Sequence, residues 1–61
     1  MQVGDLVIVK EYYKDEGRKA LVVPGVDGKN RGLIYKIVFL DNINEYTFIT
    51  PNMVNVISEK L

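Results

Sequence analysis

The residues that could do chemistry are few, and two of the most versatile types are missing. Across 61 residues there is no histidine and no cysteine. Without histidine the chain lacks the side chain that exchanges protons near neutral pH, and also the commonest zinc ligand. Without cysteine it has no thiolate nucleophile, no disulfide and no redox couple. Carboxylates, lysines and tyrosines are left. Asp15-Glu16 and Asp41 invite metal or acid–base chemistry, but adjacent acids in a glycine-containing loop are ordinary solubilising residues, and nothing follows calcium-loop spacing. Gly25 to Gly32 gathers three glycines without the Gly-Lys-Ser/Thr ending of a phosphate loop. Catalysis by paired carboxylates, tyrosine or lysine needs a substantial pocket, and a small barrel fills its interior with side chains. The expectation is a protein that is not an enzyme and uses neither cofactor nor metal.

Binding chemistry is better supplied. Tyr12 and Tyr13 stand at the start of a long polar loop, and Tyr46 and Phe48 stand on the strand before Pro51. If these regions meet, they form an aromatic groove for a proline-rich peptide or a cationic side chain. Tyr12, Tyr13, Tyr46 and the apolar Leu40 are therefore the candidate partner-binding residues. Tyr35, Phe39 and Phe48 are assigned to the core instead, because so short a chain needs large side chains inside. A second candidate set is basic. Lys29, Arg31 and Lys36 surround the third strand, with Arg18 and Lys19 ahead of the second, and together they could contact phosphates. Asp15, Glu16 and Asp27 lie in the same loops and offset that potential, so a mixed-charge solvated surface is the default.

The elements that must position these residues read as β-strands. Leu6 to Tyr12 is rich in β-branched and aromatic residues and follows the turn-forming Gly4-Asp5. Ala20 to Val23 is a second apolar run, stopped by Pro24, which cannot donate to a ladder. Leu33 to Leu40 alternates Tyr35, Ile37 and Phe39 with Lys36, Val38 and Leu40, one set per face. Asp41 to Asn44 reads as a turn, and Glu45 to Ile49 as a fourth strand. Thr50 followed by Pro51 predicts one 3₁₀ turn. Val54 to Ile57 is a fifth strand, with a polar tail to Leu61.

A chain of this length makes one domain, residues 1–61, near the lower limit for a self-sufficient core. Its 48% hydrophobic content is globular, and eight basic residues balance eight acidic ones. Zero net charge gives no electrostatic pull toward nucleic acid or an anionic membrane, and it does little to oppose self-association. The N-terminus lacks a signal-peptide pattern and no apolar run reaches membrane-spanning length, so the reading is cytoplasmic by default. Five short strands with a 3₁₀ turn before the last predict an all-β fold, a five-stranded SH3-like barrel, which would also remove exposed sheet edges.

Val3-Gly4-Asp5-Leu6-Val7-x-Val9-Lys10 resembles the opening strand of SH3-like barrels of the KOW and translation-factor types. Ile37-Val38-Phe39-Leu40-Asp41, Phe48-Ile49-Thr50-Pro51 and Val54-Asn55-Val56-Ile57 resemble small SH3-like proteins of marine tailed phages. That resemblance implies an accessory binding role, in the cytoplasm of a host cell if the protein is phage-encoded. The Gly4-Asp5-x-Val7 opening, Tyr12-Tyr13 near Lys14 and the spacing around Tyr35, Ile37 and Val38 are loosely similar to the E subunit of photosystem I, with Ile8 and Val38 where that subunit carries arginine.

Strands one and three are apolar on both faces, since Leu6 and Ile8 oppose Val7 and Val9, and Val38 and Leu40 oppose the Tyr35-Ile37-Phe39 face. A sheet with one solvated face should be polar there. The functional expectation is therefore a protein-interaction module whose outer surface is covered by a protein partner or by its own copies. The alternative is a KOW- or Tudor-like nucleic-acid-binding module using Lys29, Arg31 and Lys36.

Overall fold

A computed structural model describes residues 1–25 and 34–58. The expected glycine-rich loop, with Lys29, Arg31 and Leu33, lies outside the described residues, as do the last three residues of the tail. The described chain is all-β. Its strands are β1 (Leu6–Val9), β2 (Lys19–Val23), β3 (Tyr35–Phe39), β4 (Asn42–Ile49) and β5 (Val54–Ser58), with a 3₁₀ turn at Pro51–Met53 between the last two. They form one antiparallel sheet in the order β4-β3-β2-β1-β5. The last strand thus returns to pair with the first.

Local chemistry starts and stops these strands. Asp5 donates its N–H to the Gln2 carbonyl across a tight turn whose Gly4 has φ +98°, a left-handed value that suits glycine. The Asp5 carboxylate is buried, 2% exposed, and accepts the Gln2 N–H at 2.9 Å. β1 then runs only to Val9 and does not reach Tyr12 as the sequence suggested. Lys10 donates its N–H to Met53 in the 3₁₀ turn, and Tyr12 turns left-handed at φ +74°. Gly17, at φ +81°, donates to Val9, and Val9 donates to Arg18, so the 10–17 loop closes directly onto β2.

The turn between β3 and β4 also differs from expectation. The chain reverses at Leu40-Asp41, because Phe39 already pairs with Asn42, and β4 begins at Asn42 instead of Glu45. An irregularity between Val38 and Phe39 then brings Val38 opposite Tyr46. The extra residues of β4 between Asn42 and Tyr46 are bulged out, which sets the register of the rest of the strand. The expected 3₁₀ turn is present at Pro51, with Met53 donating its N–H to the Thr50 carbonyl and Thr50 donating its own to the Met53 sulfur.

The core lies on one face of the sheet. Val7 and Val9 come from β1, Ala20 and Val22 from β2, Ile37 and Phe39 from β3, Ile49 from β4 and Val54 from β5, and Met1, Tyr35 and Met53 pack at its margin. Alternation is strict in β1 and β2, where every second residue is buried, and β3 follows it from Ile37 onward. Phe48, assigned to the core from sequence, is not there. The register puts Thr47 and Ile49 on the inner side of β4, so Phe48 faces outward at 50% exposure. No helix among the described residues is long and apolar enough to cross a membrane.

Candidate interaction surface

The outer face of the sheet is built from the residues that alternate with the core. Leu6 pairs with Leu21, Leu21 with Val38, and Val38 with Tyr46, which makes one apolar row across four strands. Beside it runs a second row, in which Val23 pairs with Lys36 and Lys36 with Phe48. Ile8 pairs with Lys19 on the other side. Directly opposed side chains on one face of antiparallel strands touch, so these rows form a continuous surface. The aliphatic members are half-buried by one another, whereas Tyr46 is 56% exposed. Tyr46 and Phe48 meet edge to face, with ring centroids 5.9 Å apart, and the Lys36 ammonium lies 4.4 Å from the centre of the Tyr46 ring. The T-shaped pair and the cation over the ring are both favourable arrangements for π-systems.

The second feature is an electrostatic hub at Arg18, where β2 begins. Its guanidinium lies 3.8 Å from the centre of the Phe39 ring and makes ion pairs with Asp15 at 3.1 Å, Asp41 at 2.6 Å and Glu45 at 2.8 Å. Asp41 and Glu45 each accept two hydrogen bonds from it in a planar fork. Hydrogen bonds from Arg18 hold both carboxyls below their ordinary pKa, and the same bonds, led by the one to Glu45, push Arg18 further up. The hub ties the 10–17 loop to the β3–β4 turn over the edge of the core. It also accounts for Asp15 and Asp41, two of the acids that attract attention in the sequence, and adds Glu45. They surround a guanidinium, and no group of acids among the described residues could hold a metal ion.

The candidate residues therefore separate. Tyr46 lies on the apolar face, together with Phe48, which the sequence had placed inside. Leu40 is in the β3–β4 turn, half exposed, beside Asp41. Tyr12 is 95% exposed at the tip of its loop, and Tyr13 is also exposed. A cleft between β4 and that loop is lined by Lys14, Asp15, Tyr46 and Phe48 over Val9, Phe39 and Met53, and includes neither Tyr12 nor Tyr13. Of the basic set, Lys36 belongs to the apolar face, and Lys29 and Arg31 lie outside the described residues. Arg18 was the residue sequence reasoning undervalued. Its partners Asp41 and Glu45 are distant in the chain, and no local spacing announces them.

Compared with family models, with curated proteins and with solved structures, the chain has no match in any of the three.

Proposed function

We propose that this chain is a small non-catalytic protein-interaction module on an SH3-like barrel, acting as an accessory subunit of a phage-type complex or through self-association. The barrel reading is supported by the strand order β4-β3-β2-β1-β5, the 3₁₀ turn between β4 and β5, and the Lys10–Met53 hydrogen bond that draws this turn to the end of β1. The interaction reading is carried by one observation. The outer face presents the unbroken Leu6–Leu21–Val38–Tyr46 row, where a solvated sheet face should alternate with polar residues.

Sedimentation of the purified chain over a wide concentration range, with a pull-down in parallel, tests this. The expected result is a concentration-dependent dimer, or a discrete partner, lost in the double variant Tyr46→Ser, Phe48→Ser. Both residues are half exposed, so the variant keeps its fold. A monomer at every concentration with no variant-sensitive partner overturns the reading.

One observation favours nucleic acid as a second reading, namely Lys36 beside two exposed aromatic rings on a sheet face. Aromatic rings with flanking cations form stacking platforms for single strands. This reading expects binding to single-stranded oligonucleotides at low salt that falls steeply as salt rises. Flat titrations at low salt dispose of it.

A further inference from the structure

The charge carried by the apolar face narrows what can cover it. Its paired positions across β1 to β4 hold two lysines, Lys19 opposite Ile8 and Lys36 opposite Phe48, and no carboxylate. The nearby acids Asp15, Asp41 and Glu45 are gathered by Arg18, and Glu16 lies beside Lys19 at the rim, so Lys36 is the cation that carries the charge of the face. A chain of zero net charge therefore carries a face that is apolar and locally positive.

Resting on the protein-interaction reading, we propose that the partner of this face is an acidic, apolar protein segment: an amphipathic stretch whose apolar side chains lie on Leu21, Val38, Tyr46 and Phe48 while its carboxylates meet Lys36 and Lys19. A second copy of the chain fits less well. Stacking the face on its own image in a twofold dimer sets Lys36 against paired positions that hold no acid among the described residues, and like charges disfavour such a contact. Single-stranded nucleic acid fits less well too. Most of the face is aliphatic and offers no ring for a base, and Tyr46 and Phe48 are near perpendicular, at 86°, so they do not present two parallel platforms. Arg18, the other strong cation near the sheet, is already bound on three sides. The face itself is modest. Half-exposed Tyr46 and Phe48 offer roughly 100 Å² apiece, so with the aliphatic row the contact falls at the small end of specific interfaces, and charge complementarity must do much of the selecting.

The test uses amide chemical shifts of the isotope-labelled full chain, titrated with four probes. These are an amphipathic leucine/glutamate peptide, its leucine/lysine counterpart, a single-stranded oligo(dT), and the chain itself by dilution. The expected result is that the leucine/glutamate peptide shifts the amides of Leu21, Val38, Tyr46 and Phe48, binds at least about tenfold more tightly than the lysine counterpart, and weakens with salt. Lys36→Glu should reverse the order of the two peptides. Its own spectrum reports whether it folds, and Lys36→Gln, which should level the two affinities, serves if it does not.

Equal binding of both peptides overturns the acidic assignment and leaves the interaction reading standing. Shifts at these amides on dilution alone give the face to a second copy, and shifts with oligo(dT) but not with the acidic peptide give it to nucleic acid. Either result overturns the proposal. Silence of these amides to all four probes overturns both the proposal and the reading beneath it.

Discussion

Two phenylalanines one strand apart provide the sharpest check on the sheet's two faces. Phe39 is 1% exposed within the core, and Phe48 faces outward with half its surface in solvent. Truncating a fully buried phenylalanine to alanine costs about 3–5 kcal/mol, because a cavity adds to the lost transfer energy. Phe39 also lies under the Arg18 guanidinium, so Phe39→Ala removes a cation–π contact as well. For Phe48 roughly 100 Å² of ring is sheltered, worth at most about 2.5 kcal/mol at 25 cal/mol/Å². Alanine keeps part of that shelter and the unfolded chain is not fully extended, which brings the expected cost to about 1–1.5 kcal/mol.

A domain of this length has a total stability of about 3–9 kcal/mol. Phe39→Ala is therefore expected to be largely unfolded or close to it, while Phe48→Ala stays folded. Urea unfolding at 25 °C, followed by far-ultraviolet circular dichroism, measures both. With a slope of about 1 kcal/mol/M, the Phe39→Ala midpoint should lie about 3 M below that of Phe48→Ala, or its folded baseline should be missing altogether. Equal losses for the two variants would refute the register of β4. Phe48 would then be a core residue, as its type alone suggests, and the outer face would lose its most apolar ring.

The Arg18 hub makes a pH prediction. Hydrogen bonding to Arg18 lowers the folded-state pKa of Asp41 and Glu45 below their ordinary values of 3.8 and 4.5. Their contribution is thus complete above those values and is lost as pH falls through the lower, folded ones. The urea midpoint should be flat near neutrality and decline below about pH 4.5, and Arg18→Gln should flatten the decline. An unchanged acid slope in that variant would remove the hub's role. Asp5→Ala removes a buried carboxylate that accepts the Gln2 N–H and should cost about 1–3 kcal/mol, read from the same urea curves. Gly17→Ala meets no atom within 4 Å of the new Cβ, so its cost is the left-handed backbone alone, about 1 kcal/mol in thermal or urea unfolding.

Much of this fold is legible from residue order. The β-branched runs of β1 and β2, the alternation of β3 and the Thr50-Pro51 pair place strands and 3₁₀ turn where they are found, to within a few residues at the ends. β4 resisted, for a specific reason. Asp41-Asn42-Ile43-Asn44 has the composition of a turn, yet Leu40-Asp41 makes the reversal and the surplus is absorbed as a bulge. A one-residue difference in register exchanges the faces of a strand, and an aromatic-polar-aromatic-aliphatic series such as Tyr46-Thr47-Phe48-Ile49 has no local preference for either. The preference for aromatics inside misplaced Phe48, while the excess of apolar residues in β1 and β3 correctly anticipated a two-sided apolar sheet. The hub was invisible for a different reason. An arginine among acids reads as a solvated surface until folding brings acids from both the loop and the β3–β4 turn onto one guanidinium.

The pairing of β5 with β1 has a consequence for how the chain reaches its native state. β3 and β4 are joined by a two-residue reversal and can zip together early, whereas β1 acquires its second neighbour only when a segment from the far end of the described chain arrives. On a ribosome that segment emerges after the four strands before it. β1 must wait through synthesis with one row of backbone donors and acceptors uncovered, and the turn at Pro51, which carries β5 to it, acts late, as the latch of assembly. Slowing the delivery of β5 prolongs the interval in which β1 can pair with another nascent chain. The yield of correctly folded protein should therefore depend more on the latch than the small size of the 3₁₀ turn suggests.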